Sequence, residues 1–329
     1  MEEADVVIVG AGIAGLAAAL ALKIVGVRAL VLERGEGLRT TGAALGLSIN
    51  AWVALDVLGV GHKLTAIYAS CSNGGTLVRT PPSGRCRPMG SAWVGLFPEG
   101  HGQNPVMRQF VSAGERAGFV PLNDKELYWF LIYVFSSKGE DIPHDPELIK
   151  REVIDHLAKD LPPEYLSMVE HSELSTVTWS ELLYRRPWDV IFGTLSKGNV
   201  TVAGDAMHAM TPDLGQGGCS ALEDAVVLGR HIGDLIIRNK RPVAGDQLAE
   251  AFRRYANERR WRVAGLITAS YLSGWVQVNN SGWLMKFLRD MIFYKFLYKV
   301  VLSFREYDCG KLPSVPSNST EIGEKPKED

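Results

Sequence analysis

Apolar and polar positions along the chain predict an α/β fold built around two strand–turn–helix corners. Near the start, apolar runs at Asp5–Val9 and Val27–Leu32 predict two buried strands, and the periodic run Leu16–Val25 between them predicts a helix. Much later, the apolar run Val200–Ala203 ends in a glycine-rich bend that leads into a helix predicted over Ser220–Ile237. Because a strand end meets a helix start at each corner, both corners are candidate sites for a polar ligand.

Further elements are predicted between the two corners. The amphipathic run Ala51–Leu58 predicts a short helix, with Asn50 as its N-terminal cap and Gly59 as its stop. Aromatic and β-branched residues at Ala117–Leu122 and Leu127–Phe135 predict two strands around a polar turn.

The rest of the middle of the chain is less regular. Asp145 precedes an amphipathic run, which predicts a capped helix over Pro146–Leu161. Residues 71–105 are rich in Gly, Pro, Ser and Arg and show little periodicity, so we predict an irregular connection there. The basic pair Arg185 and Arg186 faces either a bound anion or the solvent.

The last third of the chain is mostly helical in pattern. Helix is predicted over Gln247–Asn279, and Trp283–Phe304 is apolar but interrupted by charged residues at helical spacing, which excludes a membrane-spanning helix. That second run either packs on the protein as a closing helix or lies on a membrane surface as a peripheral contact. The polar segment Lys311–Asp329 predicts a disordered tail.

Composition narrows the class of protein. The formal net charge is −2, which gives no basis for a nucleic-acid partner, and 46% hydrophobic residues suit a globular core. The four cysteines form no CxxC pair and no His-paired metal spacing, so free thiols and no metal site are predicted. With no secretory or transit segment recognised, these features predict a cytoplasmic protein.

The first corner carries the dinucleotide-binding fingerprint in its full strand–helix–strand context. Gly10 permits the tight turn, Gly12 lets the backbone approach a pyrophosphate, and Gly15 lets helix and strand pack closely. Glu33 ends the second strand, where a carboxylate accepts hydrogen bonds from a ribose and repels a 2′-phosphate. The corner is therefore predicted to bind FAD or NAD and not NADP.

The second corner combines a carboxylate with a glycine-rich helix start. Asp205 can accept hydrogen bonds from ligand hydroxyls, and the glycines of Gly215–Gly218 let backbone N–H groups approach a phosphate or an electron-rich ring. A tight turn capped by Asp205 is the simpler interpretation, but Pro212 and the glycines in the same string favour a ligand site.

A family resemblance rests on the string GDAMHAMTPDLGQGGCSALEDAVVL, residues 204–228. It resembles the second flavin-binding motif of the FAD-dependent aromatic-ring and related monooxygenases, and it is similar to plant monooxygenases related to salicylate hydroxylases and zeaxanthin epoxidases. The resemblance implies that Asp205 binds the ribityl chain of FAD and that Pro212 and Gly215–Gly218 lie beside the isoalloxazine ring. It also implies that the loop after Glu33 approaches the flavin, with Arg39 either in contact or solvated.

Cofactor-binding residues are thus predicted at both corners and in the loop after the second strand. They are Gly10, Gly12, Ile13, Ala14, Gly15, Glu33, Arg34, Arg39, Gly204, Asp205, Pro212, Gly215, Gln216, Gly217 and Gly218. No catalytic acid–base pair is predicted. His208 and Gln216 are candidate contacts for substrate or flavin, and His208 is equally a structural residue of the turn.

The resemblance also implies a domain plan. It places a Rossmann-like FAD-binding domain at 1–80 and 180–240, a shortened β-sheet substrate region at 81–179, C-terminal helices at 241–310 and a tail at 311–329. In the family a block with an Asp-Gly motif, which serves both FAD and NAD(P)H, lies between the two flavin motifs. No Asp in this chain is followed by Gly, so we expect that block to be absent.

The function implied by the resemblance is that of an FAD-dependent monooxygenase. Such a protein uses NAD(P)H and O2 to hydroxylate or epoxidise a small aromatic or isoprenoid-like substrate, and the flavin carries the redox chemistry. Two alternatives stay open. One is a truncated, catalytically silent member with impaired FAD binding, and the other is an FAD-dependent reductase of the same fold that consumes no O2.

Overall fold

A computed structural model describes residues 4–38, 45–66, 72–78, 87–112, 115–135, 145–176, 178–239, 245–278 and 303–314. Its helices are α1 (Ile13–Ile24), α2 (Ile49–Val57), α3 (Gly61–Thr65), α4 (Pro146–Glu152), α5 (Pro163–Glu170), α6 (Pro187–Ile191), α7 (Asp205–His208), α8 (Gly217–Asn239) and α9 (Gly245–Val278). Its strands are β1 (Val6–Val9), β2 (Ala29–Leu32), β3 (Ser72–Val78), β4 (Arg87–Leu96), β5 (Val106–Ser112), β6 (Glu115–Pro121), β7 (Glu126–Phe135), β8 (Thr178–Glu181), β9 (Ser196–Lys197) and β10 (Val200–Thr201). A π-helical turn (Val153–Leu157) continues α4, and 3-10 turns lie at Leu174–Thr176, Pro212–Leu214 and Phe304–Glu306.

The first corner is built on a parallel pair of strands, β1 and β2, joined by α1. Val6 pairs with Ala29 and Val9 with Leu32, so the predicted strands and helix are confirmed. Helix α8 packs closely along α1 because small residues face each other. A Cβ atom built on Gly229 would lie only 2.8 Å from the Cβ atom of Ala21.

One face of this strand pair is apolar and open. Val7 and Val9 on β1 and Leu30 and Leu32 on β2 share that face, and Val9 is 86% exposed. Ile8 and its neighbours on the opposite face pack against the core that α1 and α8 share. An exposed group of large apolar side chains on one sheet face is unusual for a soluble protein.

The second sheet has six strands in the order β3-β5-β6-β7-β4-β8. Strands β6 and β7 and the turn between them confirm the predicted strand pair. Residues 71–105 contain β3 and β4, so the prediction of an irregular connection was wrong. Strand β4 pairs with β7 on one side and β8 on the other, and this distant pairing organises a segment whose own sequence shows little alternation.

The two faces of the six-stranded sheet have different surroundings. On one face the fully buried Trp129 donates from its indole N–H to the hydroxyl of Ser172 at 2.6 Å, and Tyr165 of α5 donates to the carbonyl oxygen of Phe130 at 2.8 Å. On the other face Arg116 is aligned with Ile132, and Phe130 lies on the same side. Helices α4 and α5 therefore cover the first face, whereas the second carries an arginine among aromatic and aliphatic side chains.

Asp145 caps α4, as predicted. Its Oδ1 atom accepts hydrogen bonds from the backbone N–H groups of Glu147 at 2.8 Å and Leu148 at 3.3 Å. We expect Asp145→Ala to lower the free energy of unfolding by about 1 kcal/mol, because two N–H groups lose their acceptor. Urea denaturation measures this loss. Asp145→Asn keeps a side-chain oxygen and should lose less than half as much; an equal loss would contradict the capping role.

Glu115 on β6 is expected to make stability depend on pH. Burial, with the nearby charge of Asp160, raises the pKa of Glu115 from 4.5 to about 7, while Lys159 opposes the shift. Between these pH values the folded protein holds a proton that the unfolded chain has released, so stability falls as pH rises through this window. Glu115→Gln should therefore lose less stability than the wild type between about pH 5 and about pH 8. Parallel profiles of urea midpoint against pH would contradict the assignment.

The C-terminal predictions are tested only in part. Helix α9 confirms the helix predicted over Gln247–Asn279, apart from its last residue. Within the part of the chain that the structure describes, no helix combines the length and apolar character needed to cross a membrane. Residues 279–302 lie outside that part, so the packing or membrane contact of Trp283–Phe304 stays a prediction. The disordered tail predicted over Lys311–Asp329 was wrong at its start, because Leu312 packs against the core that α1 and α8 share and Pro313 lies beside Gly233 of α8. Residues 315–329 also lie outside the described part, and there the tail stays a prediction.

Candidate functional site

The first corner is a tight turn between β1 and α1. Gly10 has a φ of +102°, a conformation that residues with a side chain rarely adopt. Gly12 precedes the first residue of α1, which is Ile13. A Cβ atom on Gly15 would overlap the carbonyl oxygen of Gly10. The close helix–strand packing that the fingerprint predicted therefore requires glycine at position 15.

Glu33 follows β2 and reaches back to this corner. Its two carboxylate oxygens accept hydrogen bonds from the backbone N–H groups of Ala11 at 2.7 Å and Gly35 at 2.8 Å. Glu33 and Arg34 are both exposed. Arg39 lies outside the described residues, so its predicted contact stays a prediction.

The second corner contains two glycines in the left-handed region, Gly204 at φ +60° and Gly215 at φ +62°. Between them, Asp205 is the first residue of α7 and Pro212 begins a 3-10 turn, and both are exposed. The strand before the corner, β10, is shorter than predicted and ends at Thr201. The N-terminus of α8 follows directly, so the strand–turn–helix arrangement is present.

The two corners lie against each other. A Cβ atom on Gly204 would be 2.7 Å from the Cβ atom of Ala14, and one on Gly218 would be 3.6 Å from Cδ1 of Ile13. Leu45, which precedes α2, also lies beside Gly218. The N-termini of α1 and α8, where backbone N–H groups lack helical partners, are therefore close to one another although they are far apart in sequence.

The space in front of both corners is open. Apart from each glycine and its two chain neighbours, no atom of the described residues lies within 4 Å of a Cβ atom built on Gly10, Gly12 or Gly215. Helix N-terminal N–H groups suit a pyrophosphate, and the exposed carboxylates of Glu33 and Asp205 suit hydroxyl groups. This set of donors and acceptors fits a molecule such as FAD, which carries a pyrophosphate between two hydroxylated chains. In the described ranges, no cluster of three or more His, Cys, Asp or Glu residues could hold a metal ion.

His208 faces the protein core. Its ring is fully buried, and its Nε2 atom lies 2.7 Å from Oδ2 of Asp224. The same carboxylate oxygen accepts the backbone N–H of Gly204 at 2.8 Å. Burial alone would raise the pKa of Asp224, but the charges of His208 and Arg259 outweigh it and hold that pKa below its usual range. This placement favours the structural interpretation of His208.

Gln216 is also buried, at the start of α8. Its Oε1 atom accepts from Nδ2 of Asn50 at 2.9 Å, and its Nε2 atom donates to the hydroxyl of Ser48 at 3.0 Å. The prediction that Asn50 caps α2 was wrong, because Ser48 holds the cap position and the Asn50 amide points into the core. There it also donates to Glu223 at 2.5 Å, an acceptor that no local pattern could reveal.

A buried ion pair joins the six-stranded sheet to the second corner. Arg116 of β6 pairs with Asp213, the residue after Pro212, and its guanidinium carbon lies 5.6 Å from the ring centroid of Phe130. The Arg116 Nε atom is buried with no hydrogen-bond partner among the described residues. By contrast, Arg186 is exposed and pairs with Asp189, which favours the solvated interpretation of the Arg185–Arg186 pair.

Sequence reasoning missed several of these residues. The adjacent acids Glu223 and Asp224 interrupt an otherwise apolar stretch of α8, and that interruption was an available signal of a buried polar cluster. Arg259 stands among other arginines of α9 and looks like them in sequence. Nothing in the sequence near Arg116 or Asp213 indicates that the two side chains meet.

Comparison with known proteins identifies the family. The family described as FAD binding domain matches residues 3–129 and 97–270. Monooxygenase 2 of Arabidopsis thaliana is 30% identical, over 94% of this chain and 98% of that protein. The FAD-dependent urate hydroxylase of Klebsiella oxytoca is 31% identical over 48% of this chain and 36% of that protein. The chain therefore belongs to the family of aromatic-ring hydroxylase-like, FAD-dependent monooxygenases, which confirms the resemblance and FAD as the cofactor.

Solved structures confirm the fold. Klebsiella pneumoniae HpxO complexed with FAD and uric acid superposes with a TM-score of 0.70 at 18% identity, over 92% of this chain and 96% of that chain. The tetrameric form of 2-methyl-3-hydroxypyridine-5-carboxylic acid oxygenase gives a TM-score of 0.64 at 16% identity, over 92% and 96%. The predicted Rossmann-like FAD-binding fold is therefore confirmed.

The chain is shorter than its relative inside the alignment. The match to Monooxygenase 2 runs over 404 positions, whereas 94% of the 329 residues here fill only about 309 of them. The difference leaves roughly 95 positions of the alignment without a residue from this chain. This difference agrees with the expected absence of an internal block.

Proposed function

We propose that this chain is a monooxygenase that uses NAD(P)H and O2 to hydroxylate or epoxidise a small aromatic or isoprenoid-like substrate on bound FAD. The observation that carries the proposal is the contact of the two glycine corners, with Gly204 against Ala14 and Gly218 against Ile13. This contact lets one extended cofactor span both helix N-termini.

The residues at the corners would hold FAD by known chemistry. The N–H groups at the start of α1, after Gly10 and Gly12, would bind the pyrophosphate, and Glu33 the adenosine ribose. Asp205 would accept from the ribityl hydroxyls, and Pro212 with Gly215–Gly218 would border the ring. When bound, FAD supplies the redox chemistry by accepting a hydride from the nicotinamide and activating O2. The chain's own part is to bind, orient and exclude water.

The substrate side of the site is proposed to be the face of the six-stranded sheet that carries Arg116. Tyr128, Phe130 and Ile132 form an apolar wall on that face, and Asp213 joins Arg116 to the second corner. An aromatic wall beside the Arg116 Nε donor, which has no hydrogen-bond partner among the described residues, suits a flat ring that bears an oxygen acceptor.

The test is substrate-stimulated turnover by the purified chain loaded with FAD. NADH and NADPH are each supplied with a panel of hydroxybenzoates, salicylate among them, and both O2 uptake and hydroxylated product are measured. Coupled O2 uptake and product formation support the proposal. Reduction of an added dye under anaerobic conditions, without O2 uptake in air, would instead identify a reductase.

A second candidate is a catalytically silent member of the family. It is favoured by the roughly 95 absent positions and by the exposed apolar face of β1 and β2, where Val7 is 55% exposed. Folded protein that binds FAD weakly or not at all and oxidises no NAD(P)H with any substrate of the panel would favour this candidate.

A further inference from the structure

We propose that the buried ion cluster of Glu223, Asp224 and Arg259 positions the two halves of the second corner for FAD. In this cluster, Asp224 fixes the position of the Gly204–Asp205 turn, and Glu223 fixes the position of Gln216 at the start of α8. The inference rests on the proposed function, because it assigns the cluster to the cofactor site and gives it a task beyond holding helices together.

Asp224 holds the Gly204–Asp205 turn from its core side through two hydrogen bonds. Its Oδ2 atom accepts the N–H of Gly204 at 2.8 Å and the ring N–H of His208 at 2.7 Å, so it holds both ends of the four-residue helix α7. Asp205 lies between these two tied residues, exposed on the side away from the core. The direction of the Asp205 carboxylate is therefore set by a residue that touches no cofactor itself.

Glu223 acts in the same way on the glycine-rich bend. Its Oε1 atom accepts from Nδ2 of Asn50 at 2.5 Å, and the same Asn50 amide donates to Oε1 of Gln216 at 2.9 Å. Gln216 in turn accepts the backbone N–H of Ser220 at 2.8 Å through its carbonyl oxygen. The start of α8 is thus held at a fixed place relative to α2.

Arg259 joins the two acids. Its Nε atom donates to Oδ1 of Asp224 at 2.7 Å, its Nη1 atom lies 2.7 Å from Oε2 of Glu223, and its Nη2 atom donates to the hydroxyl of Ser220 at 2.8 Å. All three ionised side chains are fully buried. Arg262 also pairs with Glu223, so two guanidinium groups face the two carboxylates.

The energetics of buried ion pairs separate two roles for this cluster, positioning of the second corner and stabilisation of the fold. Apolar residues of similar volume often replace a buried ion pair without loss of stability, so burial of charge is poor evidence for a stabilising role alone. What apolar side chains could not supply here is the acceptor for the Gly204 N–H and the tie to Asn50. The first tie ends on Gly204 of the second corner, and the second reaches Gln216 of that corner through the Asn50 amide of α2.

The experiment is a double-mutant cycle between Asp224 and Asp205, read as the Kd for FAD by fluorescence titration. Asp224→Asn should weaken FAD binding at least tenfold in the wild type and less than twofold in an Asp205→Ala background, because Asp224 acts through Asp205. Equal losses in both backgrounds would overturn the proposal, and so would an unchanged Kd in folded Asp224→Asn protein.

A second readout needs no cofactor. Hydrogen–deuterium exchange of the apoprotein should speed up at residues 202–208 in Asp224→Asn and around Gln216 in Glu223→Gln. Unchanged exchange in both variants would overturn the positioning proposal, whether or not the wild type binds FAD. Absence of FAD binding by the wild type would refute the proposed function instead. If Asp224→Asn fails to fold, Glu223→Gln carries the exchange test.

The matched control is Glu258→Gln. Glu258 on α9 bridges to Arg230 and His231 on α8, so it links the same two helices away from the corner. This variant should leave both the Kd for FAD and the exchange at 202–208 within twofold of the wild type. A tenfold loss of FAD affinity in Glu258→Gln would assign the effect to helix packing and overturn the positioning role.

Discussion

Arg259→Leu is expected to lower the free energy of unfolding by about 3–5 kcal/mol, because it leaves two carboxylates in the core without their shared cation. Asp224 and Glu223 are fully buried, and Arg259 contacts both at 2.7 Å. The loss should shrink as pH falls, since protonation of Asp224 or Glu223 removes a buried negative charge that has lost its Arg259 partner. Urea denaturation at several pH values measures both effects.

The control for this prediction is Arg253→Leu on the same helix. Arg253 is exposed and pairs with the half-buried Glu250 at the helix surface, so its replacement should change stability little. An equal loss in the two variants would show that α9 tolerates no leucine in place of arginine, and the special role of Arg259 would be contradicted.

Asp205→Ala is expected to weaken FAD binding by on the order of 1.5–3 kcal/mol, because the ribityl hydroxyls lose a charged acceptor. That corresponds to a Kd that rises roughly 10- to 150-fold. The folded state should tolerate the change, since Asp205 is exposed and stands outside the buried cluster. Titration of apoprotein with FAD, together with a urea curve, separates affinity from stability.

Two controls sharpen this second prediction. Asp205→Asn retains a neutral acceptor and should lose less affinity than the alanine variant. Asp246→Ala removes an acidic residue from the first turn of α9, away from the corner, and should leave the Kd unchanged. An Asp205→Ala protein that binds FAD as tightly as the wild type would refute the assignment of Asp205.

The sequence alone predicted those elements that depend on the chemistry of a few neighbouring residues. Gly10, Gly12 and Gly15 identified the first corner because the turn and the close helix–strand contact both require glycine, and the structure shows that contact at Gly15. Asp145 identified the start of α4 because capping depends on residues two and three positions along the chain. Turns and caps of this kind can be predicted from the sequence without knowledge of the tertiary structure.

Contacts between distant segments could not be predicted in the same way. Strands β3 and β4 are set by their partners β5, β7 and β8 and not by their own alternation. Asn50 looked like a helix cap because its acceptor, Glu223, is 173 residues away along the chain.

The candidate site shows the same division. Asp205 and the glycines of the second corner were predicted from one continuous string, whereas Asp224, Arg259 and Arg116 act through partners on other elements. A carboxylate pair within an apolar helix is a usable sign of such a cluster. The path of α9 in three dimensions decides which of its arginines pairs with these two carboxylates, and the sequence does not show that path.

The central claim is that the two corners bind opposite ends of one FAD molecule, and calorimetric titration of the folded apoprotein with FAD, ADP and FMN tests it most directly. ADP carries the group expected at the first corner and FMN the group expected at the second. The account predicts one FAD site per chain, with an affinity well above that for either fragment. Binding of ADP as tight as that of FAD, or no FAD binding by a folded chain, would contradict it.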